Sequence, residues 1–278
     1  MTEHPGDQPD GADGADEILA LVADHERWLA SSSQGRKLEL YDRSFRGVDL
    51  SGRDLSEAWL SDCDLTGAQL RGAWLVRTHL LGCRLDGADL TGARMIRCDV
   101  SESSARGCTL TGANLTRAEF RDADLTGADL GRTLLCKTKF DGADLTGAVL
   151  RDADLDRTFL DGARLVGADV TGIAGTVISG RTYLTDGDQR ADDAELLQWL
   201  RQNASGQVEV FDVDEPRHRT PPHWRWPAAG RAAPRPAAPR LTATGQVIGG
   251  QRPTAGTAAR RARAAPSGRP RGRWSPTP

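Results

Sequence analysis

Three groupings in this chain hold side chains capable of chemistry. The first is Cys63 and Cys83, twenty residues apart, with His79 between them. Two thiols and an imidazole form a disulfide or contact a metal when a fold brings them together. The second is the aspartates, numerous enough to supply the paired carboxylates of general acid–base catalysis. The third is a series of cations at twenty-residue intervals: Arg77, Arg97, Arg117, Lys137 and Arg157. Aligned on one surface, these suit an anionic ligand. No phosphate loop, zinc-site spacing or nucleophile elbow accompanies them. The five cysteines are odd in number and match no metal motif. The sequence therefore predicts no cofactor, no metal and no enzymatic activity.

What positions these groups is an internal repeat. Every fifth residue is apolar, from Phe45, Leu50, Leu55 and Leu60 to Leu160, Leu165 and Val170, with Ala105 the weak member. Two residues before each, from Val48 to Ala168, stands a small side chain, as at Ala58, Cys63, Ala68 and Ala73; Arg53 is the one large exception in that range. Aspartate commonly lies between, so the unit reads Ala-Asp-Leu-Thr-Gly, as in 123–127 and 143–147. The aspartates are thus part of the repeat, and a carboxylate pair carries little catalytic information. Four of the five cysteines occupy the small inward position, which reads as buried filler. A period of five fits neither helix nor flat strand. It fits a chain that turns a corner every five residues, closing a square coil of twenty. Coils stacked through parallel ladders ~4.8 Å apart give about six and a half turns over roughly 31 Å.

Residues 43–172 resemble the pentapeptide-repeat family, whose motif is Ala-(Asp/Asn)-Leu-X-X. The resemblance implies an all-β solenoid, a right-handed quadrilateral parallel β-helix. Some members of that family resemble DNA and bind type II topoisomerases, protecting gyrase from inhibitors. The run His25-Glu26-Arg27-Trp28-Leu29 is similar to a lead-in that many members carry. In the gyrase-protecting branch a C-terminal segment mediates dimerisation, which makes Trp199 a candidate dimer contact.

The twenty-residue period separates four faces. Two residues after the central apolar position, one face reads Gly47, Gly67, Gly87, Gly107, Gly127, Gly147 and Gly167. These glycines suggest a turn with positive φ at its third residue. The third face carries Glu57 and then the five cations, which are expected to avoid that geometry. Arg97–Asp99 and Arg117–Glu119 read as local pairs, whereas Arg77, Lys137 and Arg157 have no acid two residues on. Parallel cations about 5 Å apart repel by roughly 0.8 kcal/mol per pair in water. The column is either a solvated face or the seat of something anionic. Apolar residues gather beside it: Trp74, Ile96 and Leu134 on the third face, Trp59, Leu81 and Phe159 on the fourth. Together with the five cations they form a candidate partner-binding face. Over residues 41–172 there are 17 basic and 21 acidic residues, a net of −4. That is weak for a mimic of duplex DNA, which carries one charge per about 1.7 Å.

Five zones follow. Residues 1–15 are an acidic lead expected to be disordered, 16–40 an N-terminal helical cap, and 41–175 the β-helix. Residues 176–215 are a C-terminal cap of helix and short strand, and 216–278 a basic Pro/Arg-rich tail expected to be disordered. The helices are placed at Asp16–Ala30 and Ala191–Asn203. From Pro216 onward there are 13 basic, no acidic and 12 proline residues. Arg225, Arg260, Arg261, Arg263, Arg269, Arg271 and Arg273 make the tail a candidate site for nucleic acid or another polyanion. The acidic first 17 residues do not resemble a secretory signal, and no apolar run is long enough for a membrane span. A cytoplasmic location with reduced thiols is expected. The leading functional reading is a non-catalytic scaffold, a monomer or a C-terminal homodimer, that binds a protein through its solenoid faces. The alternative is a DNA mimic that binds a type II topoisomerase and confers inhibitor tolerance.

Overall fold

The computed structural model describes residues 12–187 and 189–212. Helix α1 (Ala12–Ala30) leads into a parallel β-solenoid of about seven turns. Strands β1 (Glu39–Tyr41), β2 (Trp59–Ser61) and β3 (His79–Leu81) stack in that order on one face. Strands β4 (Asp154–Phe159) and β5 (Ala174–Ser179) follow, then α2 (Asp193–Asn203) and β6 (Val208–Asp212), in a second stack ordered β4-β5-β6. Between the two stacks the rungs shrink to single parallel bridges twenty residues apart, such as Asp64↔Arg84, Ser104↔Asp124 and Asp124↔Asp144.

A five-residue unit can close a corner because it leaves none of its N–H groups wanting. In the unit centred on Leu65, the Leu65 and Gly67 N–H groups donate to Arg84 and Asp86 in the next coil. Gln69 N–H donates back to Val48, and Ala68 N–H closes the turn onto the Leu65 carbonyl. The one N–H left over, that of Thr66, donates to the Asp64 carboxylate at 3.0 Å. The same bond recurs at Asp89–Thr91, Asp99–Ser101, Asp124–Thr126 and Asp144–Thr146. The repeated aspartate is therefore a structural acceptor.

The inward columns are sealed. Leu65, Leu85, Leu125 and Leu145 are at most 1% exposed, and Cys63, Cys83, Cys98 and Cys108 lie buried in the small inward position. Where Ala105 interrupts the leucine column, Val100 and Ala105 are still buried, and Phe120, next in the Val100 column, stacks on Phe140 at 5.4 Å.

The turns correct one expectation. Positive φ is not confined to the glycine faces. Gly67 has φ 65°, and Arg77, Arg97, Arg117, Lys137 and Arg157 have φ of 59, 58, 60, 59 and 56°. All four corners use the same turn, with its third residue left-handed. Ladder bonds from the Arg77, Arg97, Arg117 and Lys137 N–H groups to the next coil hold the conformation, and a left-handed L-residue costs only about 1–2 kcal/mol. Arg77 N–H, for example, donates to Ile96 O at 3.0 Å.

Both ends are capped. Helix α1 begins at Ala12, four residues before the expected Asp16, and buries Ile18, Val22 and His25 on the open first coil. The His25 ring joins two segments: Leu38 N–H donates to Nδ1 and Nε2 donates to Ser56 O, each at 3.0 Å. Arg53, out of place in a small-residue column, turns to Glu26 of α1. At the far end the ladder continues beyond residue 175, where the β-helix was expected to end. Leu155 pairs with Gly175, but Thr158 pairs with Val177, so this coil is one residue short. Gly175 stands where a leucine would, at φ 123°, and a Cβ there would meet the Leu155 carbonyl carbon at 2.9 Å. Helix α2 starts at Asp193 behind an Asp192–Glu195 capping box, and β6 lies parallel on β5.

Candidate functional site

The residue two places after each central apolar group stands at a corner of the coil, and the chain then enters the next face. The corner between the third and fourth faces forms a shallow trough of about 540 Å³. Arg97, Arg117 and Lys137 line it from the third-face corner. Asp99, Glu119 and Lys139, two residues further on, line it from the fourth face, with His79 and Phe159 in the coils beyond.

The charge balance of this trough differs from that of the other faces. Elsewhere an arginine one place after the centre reaches an aspartate in the coil above: Arg71–Asp89, Arg106–Asp124 and Arg151–Asp169, each at 2.5 Å. On the third face the corresponding positions above Arg77, Arg97 and Arg117 are Arg94, Asn114 and Leu134, and of the column's cations from Arg77 to Lys137 only Lys137 has an aspartate there, Asp154. Only the ends of the cation column find acids, Arg77 with Glu57 at 3.6 Å and Arg157 with Asp156 at 3.4 Å. Among the described residues, Arg97, Arg117 and Lys137 have no carboxylate within 4.0 Å. The expected Arg97–Asp99 and Arg117–Glu119 pairs do not form. Asp99 accepts from the Ser101 N–H and hydroxyl instead, and Glu119 is held by Arg121 at 2.6 Å and Lys139 at 2.8 Å. The opposite wall's acids are thus engaged, and three neighbouring cations keep their charge.

The five-residue register and its twenty-residue coil are what the family model described as pentapeptide repeats encodes. That model matches in eight copies, over residues 44–80, 63–101, 93–132 and 137–172. The chain belongs to the pentapeptide-repeat family. No curated protein gives a significant match. Among solved structures, the chain is similar to HetL, a pentapeptide repeat protein involved in heterocyst differentiation regulation in the cyanobacterium Nostoc. That likeness has 28% identity and a TM-score of 0.40, over 61% of this chain and 90% of HetL. A pentapeptide repeat protein of the Arabidopsis thaliana thylakoid lumen shows 30% identity and a TM-score of 0.34, over 46% of this chain and 81% of that one. QnrB1, a plasmid-mediated fluoroquinolone resistance protein, shows 18% identity and a TM-score of 0.36, over 63% and 92%.

Around the trough of this pentapeptide-repeat protein, the apolar candidates do not merge into one patch. Trp59 stacks on His79 at 4.5 Å and donates its indole N–H to Ser61. Trp74 lies under the Arg94 guanidinium at 4.1 Å. Trp59, Trp74, Leu81 and Ile96 are half-buried, and Leu134 is 38% exposed on the far side of the cation column. Of the predicted face, Arg97, Arg117, Lys137 and Phe159 meet in the trough; Arg77, Arg157, Trp59, Trp74, Leu81, Ile96 and Leu134 lie outside it. The sequence reading missed Asp99, Glu119 and Lys139 as lining groups, although each stands two residues after a trough cation. Trp199 in α2 is half-buried and packs against the core at the C-terminal end. Arg225, Arg260, Arg261, Arg263, Arg269, Arg271 and Arg273 lie outside the described residues.

The cysteine grouping yields no site. Cys63 and Cys83 are buried free thiols that donate weakly to backbone carbonyls of Ser61 and Leu60. The adjacent Cys63 and burial hold the Cys83 thiol well above its usual range, and burial beside Asp86 pushes Cys108 up to about 12. Among the described residues no three metal-ligating side chains converge, and no helix is long and apolar enough to cross a membrane.

Proposed function

We propose that this protein is a non-catalytic cytoplasmic scaffold that binds a protein partner along the corner trough. The supporting observation is that Arg97, Arg117 and Lys137 stand in the left-handed region, at φ of 58, 60 and 59°, without a carboxylate partner. The equivalent column of the first face is glycine from Gly47 to Gly167. Charged residues outside this column, such as Glu102, Asp122 and Arg132, take the same turn, so it is the unpaired stack, held against its own repulsion, that points to a role beyond the fold. Replacing the three by glycine tests this. Quantitative partner capture with the triple variant should lose proteins that an Arg132→Gly control, altered on the second face, retains. Equal capture by both variants would refute the trough as the partner surface.

The topoisomerase alternative is less well supported. A duplex mimic needs unbroken negative charge, and here acids alternate with bases over 17 basic and 21 acidic residues in 41–172. A gyrase supercoiling assay with and without inhibitor decides that case. The arginine-rich tail is a second contact for polyanions by composition alone, and Trp199 a dimer contact by family resemblance alone.

A further inference from the structure

We infer that the trough receives an α-helix bearing an acidic stripe, presented by a partner protein. This rests on the scaffold reading above and gives the partner its chemistry. Spacing is the first argument. Successive corner cations sit one coil apart, at ladder contacts such as Arg97 N–H to Thr116 O and Arg117 N–H to Cys136 O. Ladder neighbours are ~4.8 Å apart. A helix with an acid every three or four residues repeats its charge about every 5.3 Å. An extended strand repeats every ~6.7 Å on one side. Across the two intervals from Arg97 to Lys137 that line the trough, the helix accumulates a mismatch of about 1 Å, which long side chains absorb. The strand accumulates about 4 Å, most of a full coil.

The opposite wall supplies the second argument. Asp99 and Glu119 face the cations across the trough. Glu119 is balanced by Lys139 and Arg121, but Asp99 is held only by the uncharged donors of Ser101, and a nucleic-acid backbone, anionic along its whole length, would bring a phosphate against it. A protein helix can set acids toward Arg97, Arg117 and Lys137 and turn a neutral or basic residue toward Asp99. The trough also ends on rings, His79 backed by Trp59 and, in the other direction, Phe159. An apolar residue one turn beyond the acidic stripe would rest there.

The test uses full-length protein and three fluorescent probes. One is a lactam-stapled helix of about 18 residues with glutamates at i, i+4 and i+7 and a leucine one turn beyond. The others are a proline-interrupted isomer of the same composition and an oligothymidylate of equal charge. Each is titrated against wild type and against the Arg97→Gly/Arg117→Gly/Lys137→Gly variant. The tail arginines are common to both proteins, so the ratio of the two affinities reads the trough. The variant should weaken the helical peptide about tenfold, and the other two probes by no more than about twofold. Equal ratios for helix and proline-interrupted isomer would overturn the helix and leave the scaffold standing. The largest ratio for the oligothymidylate would assign the trough to nucleic acid. A ratio near one for every probe, with partner capture still dependent on the three cations, would also overturn the helix alone.

Discussion

The carboxylate of Glu26 in α1 meets the guanidinium of Arg53 through two parallel hydrogen bonds of 2.9 Å, and takes a third from the Asp54 N–H at 3.0 Å. Burial raises the Glu26 carboxyl, but these donors outweigh it and hold it below its usual range. One side chain thereby fastens the cap to the first coil and accommodates the large residue in the small-residue column. Glu26→Ala should cost about 2 kcal/mol, the scale of hydrogen bonds to a charged group. Adding Arg53→Ala should cost little more, because the guanidinium has already lost its partner. Chemical denaturation of the two variants checks both expectations, and strict additivity would contradict the pairing.

His25 gives the cap a pH dependence. Desolvation lowers its pKa, against a smaller rise from the Ser56 bond. Protonating Nδ1 would turn an acceptor into a second donor facing the Leu38 N–H. The unfolded imidazole titrates near 6.5 and the folded one lower, so the unfolded state binds more protons between the two. Stability is therefore fully present above pH ~6.5 and falls as pH drops toward the lowered folded value. His25→Gln should be less stable at pH 8 and should lose most of the slope between pH 7 and 5.5. Melting curves across that range decide it.

The left-handed cations predict a gain from losing them. Arg97→Gly and Arg117→Gly should each stabilise the rod by about 1 kcal/mol, since glycine adopts positive φ without the Cβ penalty. For a domain of this size that is a rise in Tm of roughly 2–4 °C each. A fall in Tm would mean that the guanidinium stems pack usefully on the rod.

Thiol labelling should follow burial. In the native state Cys63, Cys83, Cys98 and Cys108 should resist a maleimide, and all five should react after unfolding. Cys136 is half-buried, and burial with the Asp156 carboxylate at 3.2 Å pushes its thiol up to about 11. It should react first, faster as pH rises. Intact-mass spectrometry counts the adducts, and rapid native labelling of Cys63 and Cys83 would contradict their inward placement.

These outcomes mark where the sequence was informative. Leu65, Leu85 and Cys83 were legible because an inward position must be apolar or small, and a period of five repeats that demand. The left-handed φ of Arg97 was not. Its penalty is about 1 kcal/mol, small beside the ladder bonds that impose it, so residue type no longer reports conformation. The Glu26–Arg53 contact joins residues 27 apart across the cap, and no local pattern announces it. The trough was half legible. Its cations could be aligned by counting twenties, but the diversion of Asp99 to Ser101 and of Glu119 to Lys139 depends on which neighbour wins each carboxylate.

The ladder bonds link each coil only to those directly before and after it. This gives the solenoid a geometric reading frame of twenty. Excising twenty residues, such as 101–120, would shorten the rod by one step of ~4.8 Å and take Arg117 out of the cation column, with every later face still in place. Excising five, such as 101–105, would rotate all that follows by a quarter turn. The column that now runs Arg77, Arg97, Arg117, Lys137 would then continue from Arg97 into Asp122, Gly142 and Gly162. A deletion neutral to the hydrophobic core would erase the binding surface, as a frameshift leaves the letters intact and destroys the message.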